Sequence, residues 1–417
     1  MGLKKIPLST QIIAAMVIGV AWAFFQKPFP ELASFTTDWI QPLGRIFIKL
    51  LYLVAVPLVF SSLIVGMGSL KSVAELKSIG KHTFLIFLTT LVSATIVGLS
   101  LAYIISPGRK IEHLAVNQTV SEKISSFQHA EKSSETFIGA FSTLLPDNMV
   151  HALSNNSMML QVVLIAFLLG IALSKMTGDA KNKILDALDA VQSWFTAVIH
   201  LIMSFAPIGV FALVAALELN SEVLLSLGLY MFTVVLGLSI MLFVIYPLCF
   251  TTLGKTKYTD FFVKSRAVLL MAFSTSSSNA TLPLTLNVVK EKFHVPDNIS
   301  NFVVSVGATI NMDGTALYKC VAVYFIAQSL GVELTLAQLF IIVLTSILST
   351  AGAAGIPGAG MITLVVILQT VGLPAEGIVL ILAPDRILDM FRTVVNVAGD
   401  ISTSLCVNGL AQRKNTA

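Results

Sequence analysis

The sequence predicts an all-α polytopic membrane protein, with eight transmembrane helices and two re-entrant helical hairpins. Three observations lead to that class. Only 12% of the 417 residues are charged and 56% are hydrophobic, whereas a soluble domain carries about a quarter charged residues. Mean hydropathy is +0.88, and several apolar runs exceed the roughly 18 residues that mark a membrane-crossing helix. Two further apolar segments, at 271–286 and 349–364, are interrupted by residues that break helices.

Six apolar spans come first, at 8–26, 43–69, 82–106, 157–176, 190–218 and 222–252. Lys4 and Lys5 precede the first, as in a secretory leader, but no clean small-residue cleavage site follows and further spans come at once, so it reads as span one. Basic residues gather in alternate loops: Lys71, Lys77 and Lys81; Lys175, Lys181 and Lys183; Lys255, Lys257, Lys264 and Arg266. The positive-inside rule puts these loops and both termini in the cytoplasm, and the charge-balanced stretch 107–148 outside. The net charge of +4 is accounted for by those loops and asks for no nucleic-acid partner. Cys249, Cys320 and Cys406 stand isolated in apolar sequence, so they indicate neither a disulfide framework nor a metal site.

The C-terminal third is different. "MAFSTSSSNATLPLTL" (271–286) sets Ser, Thr and Asn amid apolar residues, and "STAGAAGIPGAGMITL" (349–364) does the same with Gly, Ala and Pro. Non-helical backbone at membrane depth survives only where protein or an aqueous cavity satisfies it. Two such segments point to a transporter binding site. Both read as re-entrant hairpins; small-residue helix-packing faces are the alternative. Between them, "VSVGATINMDGTALYKC" (304–320) weakens a helix at its middle, through Gly307, Asn311, Asp313, Gly314 and Thr315. A broken helix exposes carbonyls, and a nearby carboxylate makes the place suited to a cation.

The last helix carries Asp385, Asp389, Arg392, Asn396 and Asp400 within an arc of about 80° at 100° per residue. Each charge facing lipid at the bilayer centre would cost roughly 2.5–3.5 kcal/mol, so the stripe faces protein, cavity, ions or ligand. A guanidinium fork matches a carboxylate, a neighbouring carboxylate holds an ammonium, and an amide donates to a second carboxylate. Arg392, Asp389 and Asn396 together suit an acidic amino acid. The alternative is a self-neutralising set of pairs, Asp389 with Arg392 and Asp385 with Arg386.

Four motifs then resemble the dicarboxylate/amino acid:cation symporters, a family that includes glutamate transporters, and the prokaryotic type in particular: "TSSSNATLP" (275–283), "GATINMDGTALY" (307–318), "GAAGIPGAG" (352–360) and "DRILDMFRTVVNVAGD" (385–400). The resemblance implies a homotrimer working as an elevator. Scaffold spans one and two would occupy 1–80. Span three, in the transport domain, would occupy 81–106. The external loop and scaffold spans four and five would occupy 107–218. The rest of the transport domain would occupy 219–417, with span six, hairpin one (259–292), broken span seven (298–330), hairpin two (335–370) and span eight (376–410).

By resemblance, Arg392 binds the substrate's side-chain carboxylate and Asp389 its amino group. Asn396, Ser278 and the backbone of the second hairpin around Ile356 and Gly360 hold the α-carboxylate, Thr315 and Thr393 complete the pocket, and Ser277 is a further substrate-binding residue. One sodium would sit among Gly307, Asn311, Asn396 and Asp400. A second would lie among Thr309, Thr350, Ala351 and Ala353, and a third would use Asn311, Asp313 and Thr90. Neutral amino acid carriers of the family lack the Arg and dicarboxylate carriers lack the Asp, so aspartate or glutamate is the implied substrate. The resemblance implies no cofactor; sodium is a co-transported ligand.

The chain departs from the family pattern at three places. Phe87 and Leu91 stand where the third sodium site usually has a Tyr and a hydroxyl residue. Ser276 takes the hairpin-one position usually held by a basic residue, and Arg386 offers a charge from a different turn; it either serves the pocket or pairs with Asp385. Lys319 follows "TALY" where animal glutamate transporters have Glu and sodium-only relatives have Gln. It is either a tethered cation that helps the carrier return, or a lysine reaching an aqueous cavity with no coupling role. The coupling ion is expected to be sodium, with a proton as the alternative. An intramembrane aspartyl protease using Asp313 and Asp389 is the reading from another class. It lacks a Gly-x-Gly-Asp motif, and the six histidines are scattered without ligand spacing, so no enzyme is expected. The expected location is a plasma membrane, the bacterial inner membrane, crossed many times.

Overall fold

A computed structural model describes residues 8–68, 77–109, 146–154, 159–216, 221–350 and 359–416, and no strand occurs among them. The polar stretch predicted to lie outside falls largely beyond the described residues, as do the tip of hairpin two and Ala351, Ala353 and Ile356.

Helix α1 (Leu8–Phe25) is followed by the short α2 (Pro30–Phe35) and by α3 (Gln41–Gly68), in which Pro57 is internal. Next come α4 (Lys77–Ile105), α5 (Met149–Leu153), α6 (Met159–Lys175), α7 (Asp179–Ser204) and α8 (Ala206–Ala215). The helix of span five starts eleven residues before the predicted 190, because 179–189 is amphipathic and not apolar. Its first turn is held on the surface by Lys183 and Asp179, 2.7 Å apart. Pro207 then separates α7 from α8 at the helix N-terminus, where a missing N–H costs nothing.

Span six is α9 (Ser221–Ile240), a π turn over Met241–Ile245, and α10 (Tyr246–Thr252). Among the described residues, 79–105 and 222–252 are helical stretches long and apolar enough to cross a membrane. Hairpin one is α11 (Tyr258–Thr275) and α12 (Ser278–Asn287), turned at Ser276 in the left-handed region (φ +50°). Span seven breaks as expected into α13 (Asp297–Ile310) and α14 (Asp313–Ser329), with non-helical backbone at Asn311 and Met312. The arms of hairpin two are α15 (Leu336–Thr350) and α16 (Ala359–Thr370), and the last helix is α17 (Val379–Thr416).

Packing places the broken helix and the last helix at the centre. Helix α17 lies against α9, α10, α11, α13 and α14, while α4 packs along α14. A separate group forms around α3, which contacts α6, α7 and α8, with α1 along α8. The two groups meet where α1 and α8 touch α17, and where α16 touches α3 and α6. Close approach is built on glycine: a Cβ at Gly98 of α4 would stand 2.8 Å from the Leu317 carbonyl oxygen on α14.

Candidate binding site on the broken and last helices

The stripe on α17 is inside the protein. Asp385, Asp389, Arg392, Asn396 and Asp400 are all buried, and Arg392 is fully so. Its Nη2 donates to Asp389 Oδ1 at 2.7 Å and lies 3.2 Å from Asp385 Oδ1, an ion-pair contact out of line for a hydrogen bond. The guanidinium carbon sits 3.8 Å from the centroid of the Tyr318 ring, whose face attracts a cation. Nε and Nη1 have no hydrogen-bond partner among the described residues. A Cβ at Gly360, at the start of α16, would lie 3.1 Å from Nη1, so the second hairpin's glycine lets its backbone pack close to that buried donor. Buried donors are nearly always paired in folded proteins, so these two unpaired N–H groups, on different edges of the guanidinium, are left for an arriving acceptor.

Of the expected ion pairs, Asp389 with Arg392 forms. Asp385 with Arg386 does not. Arg386 Nη1 turns instead to Asp389 Oδ2 at 3.4 Å, and Asp385 serves Arg392. The reason is helical spacing: 386 and 389 are one turn apart and neighbours on the surface, whereas adjacent residues diverge. Arg386 therefore does reach the carboxylate assigned to the substrate amino group.

Asn396 is fixed by the break in span seven. Its Oδ1 accepts the Gly314 N–H at 2.9 Å, one of the orphan donors at the start of α14. Its Nδ2 donates to Thr315 Oγ1 at 3.2 Å, leaving one amide N–H for another acceptor. Only glycine fits at 314, since a Cβ would come within 2.7 Å of the Arg392 carbonyl oxygen. Thr393 turns its hydroxyl to the Asp389 carbonyl at 2.8 Å. Ser277 caps α12 by accepting from Ala280 N at 3.2 Å, and Ser278 is buried beside it. The first hairpin meets the last helix through Phe273 edge-on to Phe391.

Deeper along the stripe lies a second polar cluster. Asn311 Nδ2 donates to Asp400 Oδ1 at 3.1 Å, and Thr90 Oγ1 lies 3.5 Å from Asn311 Oδ1. A Cβ at Gly307 would fall 2.2 Å from Asp400 Oδ1, so this glycine admits the carboxylate. Asp313 heads α14, where the helix N-terminus favours a negative group. Its Oδ2 accepts from the Tyr246 hydroxyl at 2.8 Å and its Oδ1 has no partner among the described residues. Gly307, Asn311, Asp313, Asp400 and Thr90 are thus brought together, with Phe87 against Gly307. Asn396 is held one turn away at Gly314. The remaining set is less assembled: Thr309 and Thr350 bond back to Val306 and Ile347 in their own helices.

Lys319 is fully buried and its Nζ donates to Ser349 Oγ on α15 at 2.9 Å. Helix α14 packs against α4, α9, α15 and α17, and the Lys319 side chain has no exposed surface in this arrangement. Sequence reasoning missed Tyr246, Tyr318 and Ser349. Tyr318 had a legible signal, being one turn from Thr315 in a polar motif; Tyr246 and Ser349 sit in apolar runs and had none.

The sodium:dicarboxylate symporter family matches over residues 8–410. Excitatory amino acid transporter 3 of Mus musculus is 31% identical over 457 residues, covering 96% of this chain and 85% of that protein. The proton/glutamate-aspartate symporter of Escherichia coli is 31% identical over 415 residues, covering 97% and 92%. The proton/sodium-glutamate symport protein of Bacillus subtilis is 32% identical over 399 residues, covering 95% and 91%. With these matches spanning the broken helix, both hairpins and the buried stripe, the chain belongs to the sodium:dicarboxylate symporter family.

Proposed function

We propose that this protein is a secondary active symporter that carries aspartate or glutamate into the cell with sodium. The observation that carries the reading is the buried Arg392 fork, with Nε and Nη1 open beside Asp389. A carboxylate on the fork, an ammonium at Asp389 and a second carboxylate at the Asn396 amide fit the three charged groups of an acidic amino acid. Ser277, Ser278, Thr315, Ile356, Gly360 and Thr393 would complete that pocket. Cations would be held by Gly307, Asn311, Asn396 and Asp400, and by Thr309, Thr350, Ala351 and Ala353. A third set, Thr90, Asn311 and Asp313, has Tyr246 already on Asp313.

In this reading the group around α3 is a scaffold within a trimer. The hairpins, α4, α9, α10, α13, α14 and α17 move through it as an elevator, with hairpin two as the outer gate and both termini cytoplasmic. Proton-driven symport is the second reading, favoured by the printed names of the Escherichia coli and Bacillus subtilis relatives. Purified protein in liposomes, given labelled aspartate and either a sodium or a proton gradient, separates the two. Uptake that collapses without external sodium supports the first; uptake that ignores sodium and follows the proton gradient replaces it with the second.

A further inference from the structure

Seven charged side chains, six of them buried and Arg386 half-buried, gather where the broken helix, the second hairpin and the last helix meet. Four are carboxylates: Asp313, Asp385, Asp389 and Asp400. Three are cationic: Lys319, Arg386 and Arg392. Each arginine has a carboxylate partner. Lys319 has none: among the described residues its polar partner is the Ser349 hydroxyl, and its charged neighbour is Arg392, of like sign.

A buried ammonium costs several kcal/mol unless charge of opposite sign lies within the same enclosed unit, so Lys319 counts in the charge balance of that unit. Taking these groups in their ionised forms, the enclosed set has a net charge of minus one. An acidic amino acid adds minus one, through one ammonium and two carboxylates. A neutral unit, the cheapest to carry through an apolar membrane, is then reached with two monovalent cations.

We propose that Lys319 is a resident cation that takes the place of one co-transported cation. The loaded unit is thereby neutral with two sodium ions per acidic amino acid. The inference rests on the sodium-coupled reading above and adds to it a stoichiometry and a location for the voltage-sensitive step. A neutral loaded unit crosses without feeling the membrane potential, and the unloaded unit, at minus one, carries the charge on its return. The cluster around Asp313 agrees, since the Tyr246 hydroxyl already occupies Oδ2 and the Phe87 ring fills the side toward Gly307.

The test uses the full chain in liposomes. The reversal potential of labelled-aspartate flux gives the sodium count, expected to be two for the wild type. Aspartate–aspartate exchange at saturating sodium is expected to be independent of an imposed potential, while net uptake depends on it. Lys319→Gln leaves the loaded unit at minus one, so its exchange slows about sevenfold over 100 mV, from half of the ~2.3 kcal/mol per elementary charge. Lys319→Arg keeps the charge and restores insensitivity. A merely structural lysine would change exchange rates without changing their voltage dependence, and that result overturns the inference. So does a wild-type count of three sodium ions, or voltage-sensitive wild-type exchange, whether or not either variant folds. Absence of sodium-driven aspartate uptake instead overturns the functional reading, and this inference with it.

Discussion

Arg392 commits Nη2 to Asp389 and Asp385 and leaves Nε and Nη1 open. Asp385 and the Tyr318 face hold the fork in place without using those two donors. Lysine at this position keeps the charge but presents a compact ammonium that cannot hold Asp389 and offer further planar donors at once. Arg392→Lys is therefore expected to raise the aspartate KM by about 10–100-fold, or about 1.4–2.8 kcal/mol, with surface expression unchanged; uptake kinetics in cells check it. Arg386 acts in the opposite direction. It contacts the Asp389 oxygen that the substrate ammonium would take, at a partly exposed site where such a pair is weak. Arg386→Gln is expected to lower the aspartate KM by a few-fold, and a raised KM would show that the guanidinium supports the bound substrate.

At the scale of elements, the break between α13 and α14 makes both polar clusters possible. It frees the Gly314 N–H for Asn396 and brings Gly307 against Asp400. Gly307→Ala would push a methyl to 2.2 Å from Asp400 Oδ1, and overpacking of that kind typically costs 1–3 kcal/mol. The expected outcome is a roughly tenfold rise in the sodium concentration for half-maximal aspartate uptake, with the aspartate KM at saturating sodium nearly preserved. Equal damage to both would place Gly307 in general packing. The break, the hairpins and the charged stripe were legible because each violates the apolar pattern around it. The stripe's period also placed its residues on one face. Partner choice was not legible: Arg386 goes to Asp389 and Asp385 to Arg392 because of one-turn spacing and a neighbouring helix. Tyr246 on Asp313 joins residues 67 positions apart, and nothing local marks it. The start of α7 was misjudged because hydropathy registers membrane depth and not helix length.

At the scale of the whole molecule, the two helix groups meet at a seam beside the charged stripe, where α1 and α8 reach α17. Ile12, Phe47, Ala206 and Val210 of one group line a small cavity with Met361 and Leu382 of the other, and Asp385, Arg386 and Asp389 border it. The facing side chains from the α3 group are apolar, and packed elements of this kind shift past one another between discrete arrangements. If the groups move past one another as an elevator, tying the seam must stop transport while leaving the buried site whole. The test starts from a variant in which Cys249, Cys320 and Cys406 are replaced and activity is retained. Val210→Cys with Met361→Cys, bridged by mercury, is expected to abolish both net uptake and exchange. Sodium-dependent aspartate binding to the same cross-linked protein, read by calorimetry, is expected to persist within a few-fold. Full exchange in the bridged protein would mean that the seam is static, and that access to Arg392 changes through the hairpins alone.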